Sequence, residues 1–444
     1  MKKYIFALFV AIAAINSQTA SAQNEAYEMT VSGVKVIVQP TKNEIVEIQT
    51  IIKGGVQNYP ATKIGIESLA MSALTECGTL KHDKNSFKNE LDKINALVSG
   101  STNKNYSVIR MNCLKDDFDI VWPLYAEALT QPKFDAVEFA RIKKVAISRL
   151  KADESQPDEA IDKMADKIAF AGRDYSKDPA GSVAILETLT PEETKAHYQS
   201  VFTKSHLLIV VVGSLDKATI EAKVKGLLAG VKQSAPFEFK KSFFRAYKNS
   251  FNAVNKDLAT NYVEGVTGGP QPGTKDFNAF SVAMRIFADR HFLDVRTKNG
   301  LSYAPQAWFS GGATAVAKFS VTTKEPNKYI AVFDKLVDSI KTKGFNPEEV
   351  ADMKVTYLTG FYYRNETNSA QAAAMVANEV LHNNWRRSLT MVDEIKKLTI
   401  NEVNTAFRNY IGNTVWVYQG DAKKVDPVLF INGTLKKNDN PVSH

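Results

Sequence analysis

Few residues in this sequence that could do chemistry stand where chemistry would need them. The histidines are His82, His197, His206, His291, His382 and His444, and none belongs to a metal-ligand pair. The nearest approach is His291-Phe-Leu-Asp294, but Val295 takes the place a second histidine would need. His291 falls at the end of a predicted helix, where solubility or capping is the simpler role. GGPQPGTK (268–275) ends Thr-Lys, whereas a phosphate loop needs Lys before Ser or Thr. GLSYA (300–304) lacks the last glycine of a nucleophile elbow. No Ser/His/Asp or Cys/His set stands out, although triads can be scattered along a chain. What remains is DVRTKNGLSYAP (294–305), with Arg296 and Tyr303 on either side of Gly300. A guanidinium and a phenol are good fixed hydrogen-bond donors, and Gly300 lets the backbone between them turn tightly. On spacing alone the plainer reading is that Arg296 closes a helix and Tyr303 packs at a strand start.

The elements that position these groups belong to an ordinary globular chain of 444 residues, 44% hydrophobic, 10% aromatic and 23% charged, enough for two or more cores. Lys2-Lys3, an apolar run over 4–15 and Ala20-Ser21-Ala22 read as a secretory signal peptide over residues 1–22. The run is shorter than a membrane span, and no cysteine follows it to carry a lipid. The expected compartment is the periplasm, because a short Lys-Lys leader looks bacterial. The net charge of +8 falls to +6 without Lys2 and Lys3, and the bases are interleaved with acids. That pattern is a solvated surface rather than a nucleic-acid footprint. Cys77 and Cys113 form neither a CxxC motif nor a zinc-ligand set, and their spacing leaves a disulfide or two buried thiols equally open.

The second half repeats the first. IIKGGVQNYP (51–60) matches VEGVTGGPQP (263–272), and ESLAMSAL (67–74) matches FSVAMRIF (280–287) at an offset of 213. FDAVEFARIKK (134–144) matches FNPEEVADMKV (345–355), and 190–216 matches 399–425. Ordered matches with slowly drifting offsets indicate a duplicated domain of about 200 residues rather than a short repeat. Residues 28–55 alternate as strands with turns at Ser-Gly and Lys-Asn. Helices are predicted over 65–76, around 86–95, 116–130 and 135–152, with a strand over 107–114. The expected class is α+β, with two homologous domains (23–232 and 251–444), each a mostly antiparallel sheet with helices packed on one face. The linker, 233–250, is basic and aromatic and is expected to drape over both copies.

The duplication, the Gly-Gly-terminated strand, the helix GIESLAMSALTECGT (65–79) and the DVRTKNGLSYAP segment together resemble the insulinase/pitrilysin peptidases, closest to the mitochondrial-processing-peptidase-like branch. The resemblance covers about residues 28–425. Active members carry His-x-x-Glu-His on the first helix, with two zinc ligands and the base that activates water. Counted back from Gly78-Thr79, those positions are Leu69, Ser72 and Ala73. The third ligand of active members, a later Glu, also has no counterpart, since no acid stands between Glu138 and Asp153. The resemblance implies no metal or other cofactor in this chain. It maps onto Arg296 and Tyr303 the family's contacts to peptide carbonyls and to the developing oxyanion, with Gly300, Leu301 and Ser302 as the substrate-binding loop. Some members work as two chains, one with the zinc motif and one with Arg and Tyr. The expected function is therefore a non-catalytic subunit of an exported zinc peptidase. It would close over a zinc-bearing partner with His-x-x-Glu-His and hold short unfolded peptides. A homodimer is the other assembly, and a peptidase-derived scaffold the alternative function.

Overall fold

The computed structural model describes residues 25–432. The leader expected over 1–22, and His444, lie outside the described residues. The chain forms two sheets, one in each half. The first has six strands: β1 (Tyr27–Val31), β2 (Val34–Pro40), β3 (Ile45–Lys53), β4 (Leu97–Thr102), β5 (Tyr106–Leu114) and β6 (Leu207–Gly213), ordered β1-β2-β6-β3-β5-β4. The second has five: β7 (Ser250–Asn255), β8 (Asn261–Gly268), β9 (Gln306–Ser310), β10 (Val316–Thr323) and β11 (Val415–Gly420), ordered β7-β11-β8-β10-β9. Apart from β1 the two orders are the same pattern. Each contains a single parallel pair, β2 with β6 and β7 with β11, among antiparallel neighbours. This is the α+β, mostly antiparallel architecture that the duplication implied.

The local reasons are legible. β1 and β2 close through Ser32 and Gly33, both in the left-handed region with φ of 50° and 86°, a turn whose twist suits a two-residue hairpin. The first half then carries α1 (Ile66–Glu76), α2 (Lys84–Asp92), α3 (Phe118–Thr130), α4 (Ala136–Ser155), α5 (Pro157–Ala169), α6 (Val183–Thr188), α7 (Pro191–Val201) and α8 (Lys217–Leu228). The second carries α9 (Asp276–Phe292), α10 (Pro326–Lys343), α11 (Pro347–Arg364), α12 (Asn368–His382), α13 (Arg387–Lys397), α14 (Ile400–Tyr410) and α15 (Pro427–Ile431). The matched helices α7 and α14 even start alike, each with a reciprocal Thr–Glu cap (Thr190 with Glu193, Thr399 with Glu402).

The sequence reading put helices on one face of each sheet. That face is the main core of each half, but the other face is also covered, by a helix from the opposite half. α12 lies on β3 and β6, and α5 lies on β8 and β11. β6 shows why. All seven of its residues are buried, with Leu207, Ile209 and Val211 in the first-half core and Leu208, Val210 and Val212 against α12. The two crossings differ in chemistry. α12 meets sheet one with Ala372, Met375, Val376 and Val380. α5 meets sheet two with Ile161 and Ala165, but also with Asp162 and Asp166.

The stretch 233–249 runs extended and touches both halves. Gln57 clamps Lys240, accepting from its N–H at 3.0 Å and donating to its carbonyl at 2.7 Å. The Ser242 N–H donates to the Ala313 carbonyl at 3.1 Å, and Phe244 enters the first-half core. Cys77 and Cys113 are buried free thiols, and burial pushes both up to about 12. His291 is no solvating helix end. It is fully buried against Phe287, Tyr329 and Phe333, since α9 runs on past the point where α1 stops.

Candidate functional site

α1, α4 and the edge strand β4 enclose a cleft of about 640 Å3. Gly100 lets β4 approach α1, because a Cβ there would sit 2.4 Å from the Met71 carbonyl oxygen. The side chains of α1 that face the cleft are Ser68, Ser72 and Glu76, four residues apart and so on one stripe. Of the three positions obtained by counting from Gly78-Thr79, only Ser72 lines the cleft. Leu69 and Ala73 are turned into the core, at 3% and 0% exposure. The repeat gives the same register: their counterparts 213 residues on, Val282 and Ile286, are also core.

α4 and α5 supply the opposite wall with Arg141, Arg149, Asp153 and Lys163. Arg141 bonds Glu76 at 2.7 Å and Glu138 at 2.6 Å, and Lys163 bonds Asp153 at 3.0 Å. Burial pushes Glu76 up, but hydrogen bonds from Lys88 and Arg141 outweigh it and leave the carboxyl below its ordinary range. Zinc does not fit this donor set. Two serines, a carboxylate held by two cations and two guanidinium groups repel or ignore a dication. Among the described residues no group of three or more His, Cys, Asp or Glu is arranged to hold a metal.

Behind the cleft, Glu67 is wholly buried at the start of α1. It accepts from Ser107, from Asn58 at 3.0 Å and pairs with His197 Nε2 at 3.2 Å. These contacts tie α1 to β5, α7 and the loop after β3, which makes the network structural.

The second half builds the same cleft from α9, α11 and β9, with a volume of about 380 Å3. Ser281, Arg285 and Asp289 stand 213 residues after Ser68, Ser72 and Glu76. Here the space is filled. Tyr357 hydrogen-bonds Ser281, the Arg285 guanidinium lies 5.0 Å from the Tyr357 ring, and Trp308 and Phe309 complete the wall. Burial raises the Asp289 carboxyl, with Arg285 opposing.

α9 continues into a wider helical turn, Leu293–Lys298, that carries Arg296. Gly300, at φ 60°, reverses the chain, its N–H donating to the Arg296 carbonyl at 3.1 Å. The Leu301 N–H donates to the Val295 carbonyl at 2.9 Å, and the buried Leu301 side chain anchors the loop. Ser302 follows with its hydroxyl buried, and Tyr303 is 79% exposed. The guanidinium stacks 4.1 Å from the Tyr303 ring and 5.1 Å from Phe292, and donates to the Tyr303 carbonyl at 3.0 Å. The loop therefore brings Arg296, Gly300, Leu301, Ser302 and Tyr303 into one turn. Arg296 caps the loop rather than the helix, and the Tyr303 ring it stacks on faces outward. The sequence reading missed Ser68, Glu76, Arg141 and Arg149. The i, i+4 small pair and its matches at 281 and 285 were the available signal.

Two family models match the chain: insulinase (peptidase family M16) over residues 36–180, and the peptidase M16 inactive domain over 188–357. No curated protein matches. Among solved structures the chain is similar to a peptidase M16 inactive domain from Pseudomonas fluorescens (18% identity, TM-score 0.82, 91% of this chain and 99% of that one). It is also similar to the periplasmic protease PqqL from Escherichia coli (15%, TM-score 0.76, 89% and 46%). A third likeness is to a chain of complex III2 from Candida albicans (12%, TM-score 0.76, 92% and 99%). At these identities the likeness is one of fold. The two family models lie side by side along most of the described residues, and on them the chain belongs to the insulinase family, peptidase family M16.

Proposed function

We propose that this protein is the non-catalytic subunit of an exported two-chain zinc peptidase. It closes over a homologous partner that carries His-x-x-Glu-His and the zinc, and it presents Arg296 and Tyr303 to a short unfolded peptide. The observation that carries this reading is the pairing of a first-half cleft unsuited to zinc with a second-half loop in which Arg296 and Tyr303 are already stacked and outward-facing. A fixed guanidinium and phenol placed where charge develops on a carbonyl oxygen stabilise that charge without reorganising. The leader-like first 22 residues, together with the fold shared with a periplasmic protease, support export. Among the described residues no helix is long and apolar enough to cross a membrane.

The test is a pull-down of the tagged mature chain from its native cells, with mass spectrometry of its companions. A stoichiometric partner with His-x-x-Glu-His supports the reading. In that complex Arg296→Ala and Tyr303→Phe should each cut turnover at least tenfold while assembly persists, and full turnover in both would remove the assigned roles. The similarity to a chain of complex III2 favours a second reading, a scaffold with no proteolytic role. Recovery of membrane components without the zinc motif would select it.

A further inference from the structure

The crossing of α5 on the second sheet holds a buried lysine among three carboxylates, whereas its counterpart, α12 on the first sheet, brings a single carboxylate, Glu379, paired with Lys35 of β2 at 2.7 Å. Lys318 of β10 is 6% exposed at its side chain and sits among three carboxylates. Its Nζ lies 2.5 Å from Asp162 and 2.7 Å from Asp166, both on α5, and 3.2 Å from Glu264 on β8. Lys104, in the turn after β4, forms a second ion pair with Asp166. With Glu264 protonated, two carboxylates face two ammonium groups and the cluster is balanced. With Glu264 ionised, one negative charge is left over in a buried place, where it is costly. The remaining charged neighbours make this worse, since Asp158 and Glu159 of α5 face the same cavity, while β11 offers only uncharged groups such as Gln419. That cavity, about 610 Å3 and bounded by Trp308 and Tyr175, gives water a way in.

The same helix forms part of the first-half cleft. Lys163 of α5 lines that cleft and holds Asp153, and Lys104 stands two residues beyond the end of the edge strand β4. We propose that α5 is a charge-controlled latch: loss of the Glu264 proton loosens α5 from the second sheet, and the first-half cleft, two of whose walls the latch holds, loosens with it. α12 is the fixed crossing, because its packing on β3 and β6 is apolar and its one carboxylate, Glu379, is already paired with Lys35 of β2 at 2.7 Å. The titration falls in a useful range, since burial raises the Glu264 carboxyl to about 8, with Lys318 opposing and Asp162 reinforcing.

Hydrogen exchange on the full chain tests this, because an undocked helix of 13 residues is marginal in water and its amides exchange. Wild type is compared with Glu264→Gln, which mimics the protonated acid, at pH 6 and pH 9. Taking the ratio of the two proteins at each pH cancels the intrinsic chemistry of exchange. In α5 the ratio of wild-type to variant exchange should rise at least tenfold from pH 6 to pH 9, with 97–104 following and α12 unchanged. Lys318→Met should raise α5 exchange at both pH values. Equal ratios at both pH values, or α12 opening equally with α5, would overturn the latch. Release of α5 without 97–104 would overturn its link to the cleft.

Discussion

One cleft is built twice in this chain, 213 residues apart, and the two copies are filled in opposite ways. In the first, small hydroxyls and ion pairs line an open groove of about 640 Å3. In the second, Tyr357, Arg285 and Trp308 occupy the equivalent space and reduce it to about 380 Å3. The helices behind them keep apolar residues at the same core positions, Leu69 and Val282, Ala70 and Ala283, Met71 and Met284, while the outward stripe changes from Ser68, Ser72 and Glu76 to Ser281, Arg285 and Asp289. A duplicated scaffold can thus keep its packing while each copy loses or gains a surface. The copies also end differently: Gly78, at φ 72°, stops α1, while His291 stands at the same repeat position and is buried in the last turn of a longer helix that runs on into the wider turn Leu293–Lys298.

The register of α1 is the part of this comparison that mutation can break most sharply. Leu69→His with Ala73→His would bury two imidazoles in the core and should cost more than about 4 kcal/mol, read by chemical denaturation. A fold that tolerated both would show that the helix faces are misassigned. Next in size is the acid behaviour of His291, which burial pushes down to about 4. The unfolded state takes up its proton first, so the contribution is complete above pH 6.5 and is lost as pH falls through 4. Relative to His291→Met, wild type should lose up to about 3 kcal/mol across that interval. The variant is the needed reference, because protonated Glu264 stabilises the fold in the opposite sense over much of the same range.

Ser68→His with Ser72→His places two imidazoles on the cleft stripe, one helical turn apart. Zinc at a hundredfold excess over its Kd should then stabilise this variant by about 2.7 kcal/mol and leave wild type unchanged in thermal unfolding. No shift in the variant would mean that the stripe does not converge on one point. The smallest effect is at the filled cleft. Tyr357→Phe loses the bond to Ser281 and should cost about 1 kcal/mol, whereas Ser72→Ala in the open cleft should stay within about 0.5 kcal/mol.

Much of this was readable before any coordinates. The turn at Ser32-Gly33, the alternation of the early strands and the helix that ends at Gly78 follow from local sterics and from apolar spacing. The loop holding Arg296 and Tyr303 was readable for the same reason, because its glycine and its two donors lie within eight residues. β6 carried an unread signal: seven consecutive apolar or small residues are what a strand covered on both faces requires.

The sequence by itself determined the duplication, the α+β class, the lack of zinc ligands on the first helix and the composition of the Arg–Tyr loop. These depend on residue identity and near neighbours. Only the tertiary structure decided which stripe of α1 faces the cleft, that His291 is core, and that each half covers the other's sheet with a helix. Counting residues fixes a helical angle only if the end it is counted from is known. The partners of α5 and α12 lie more than 90 residues away along the chain, as Asp166 and Glu264 do. No local pattern distinguishes a helix packed on its own sheet from one packed on the other.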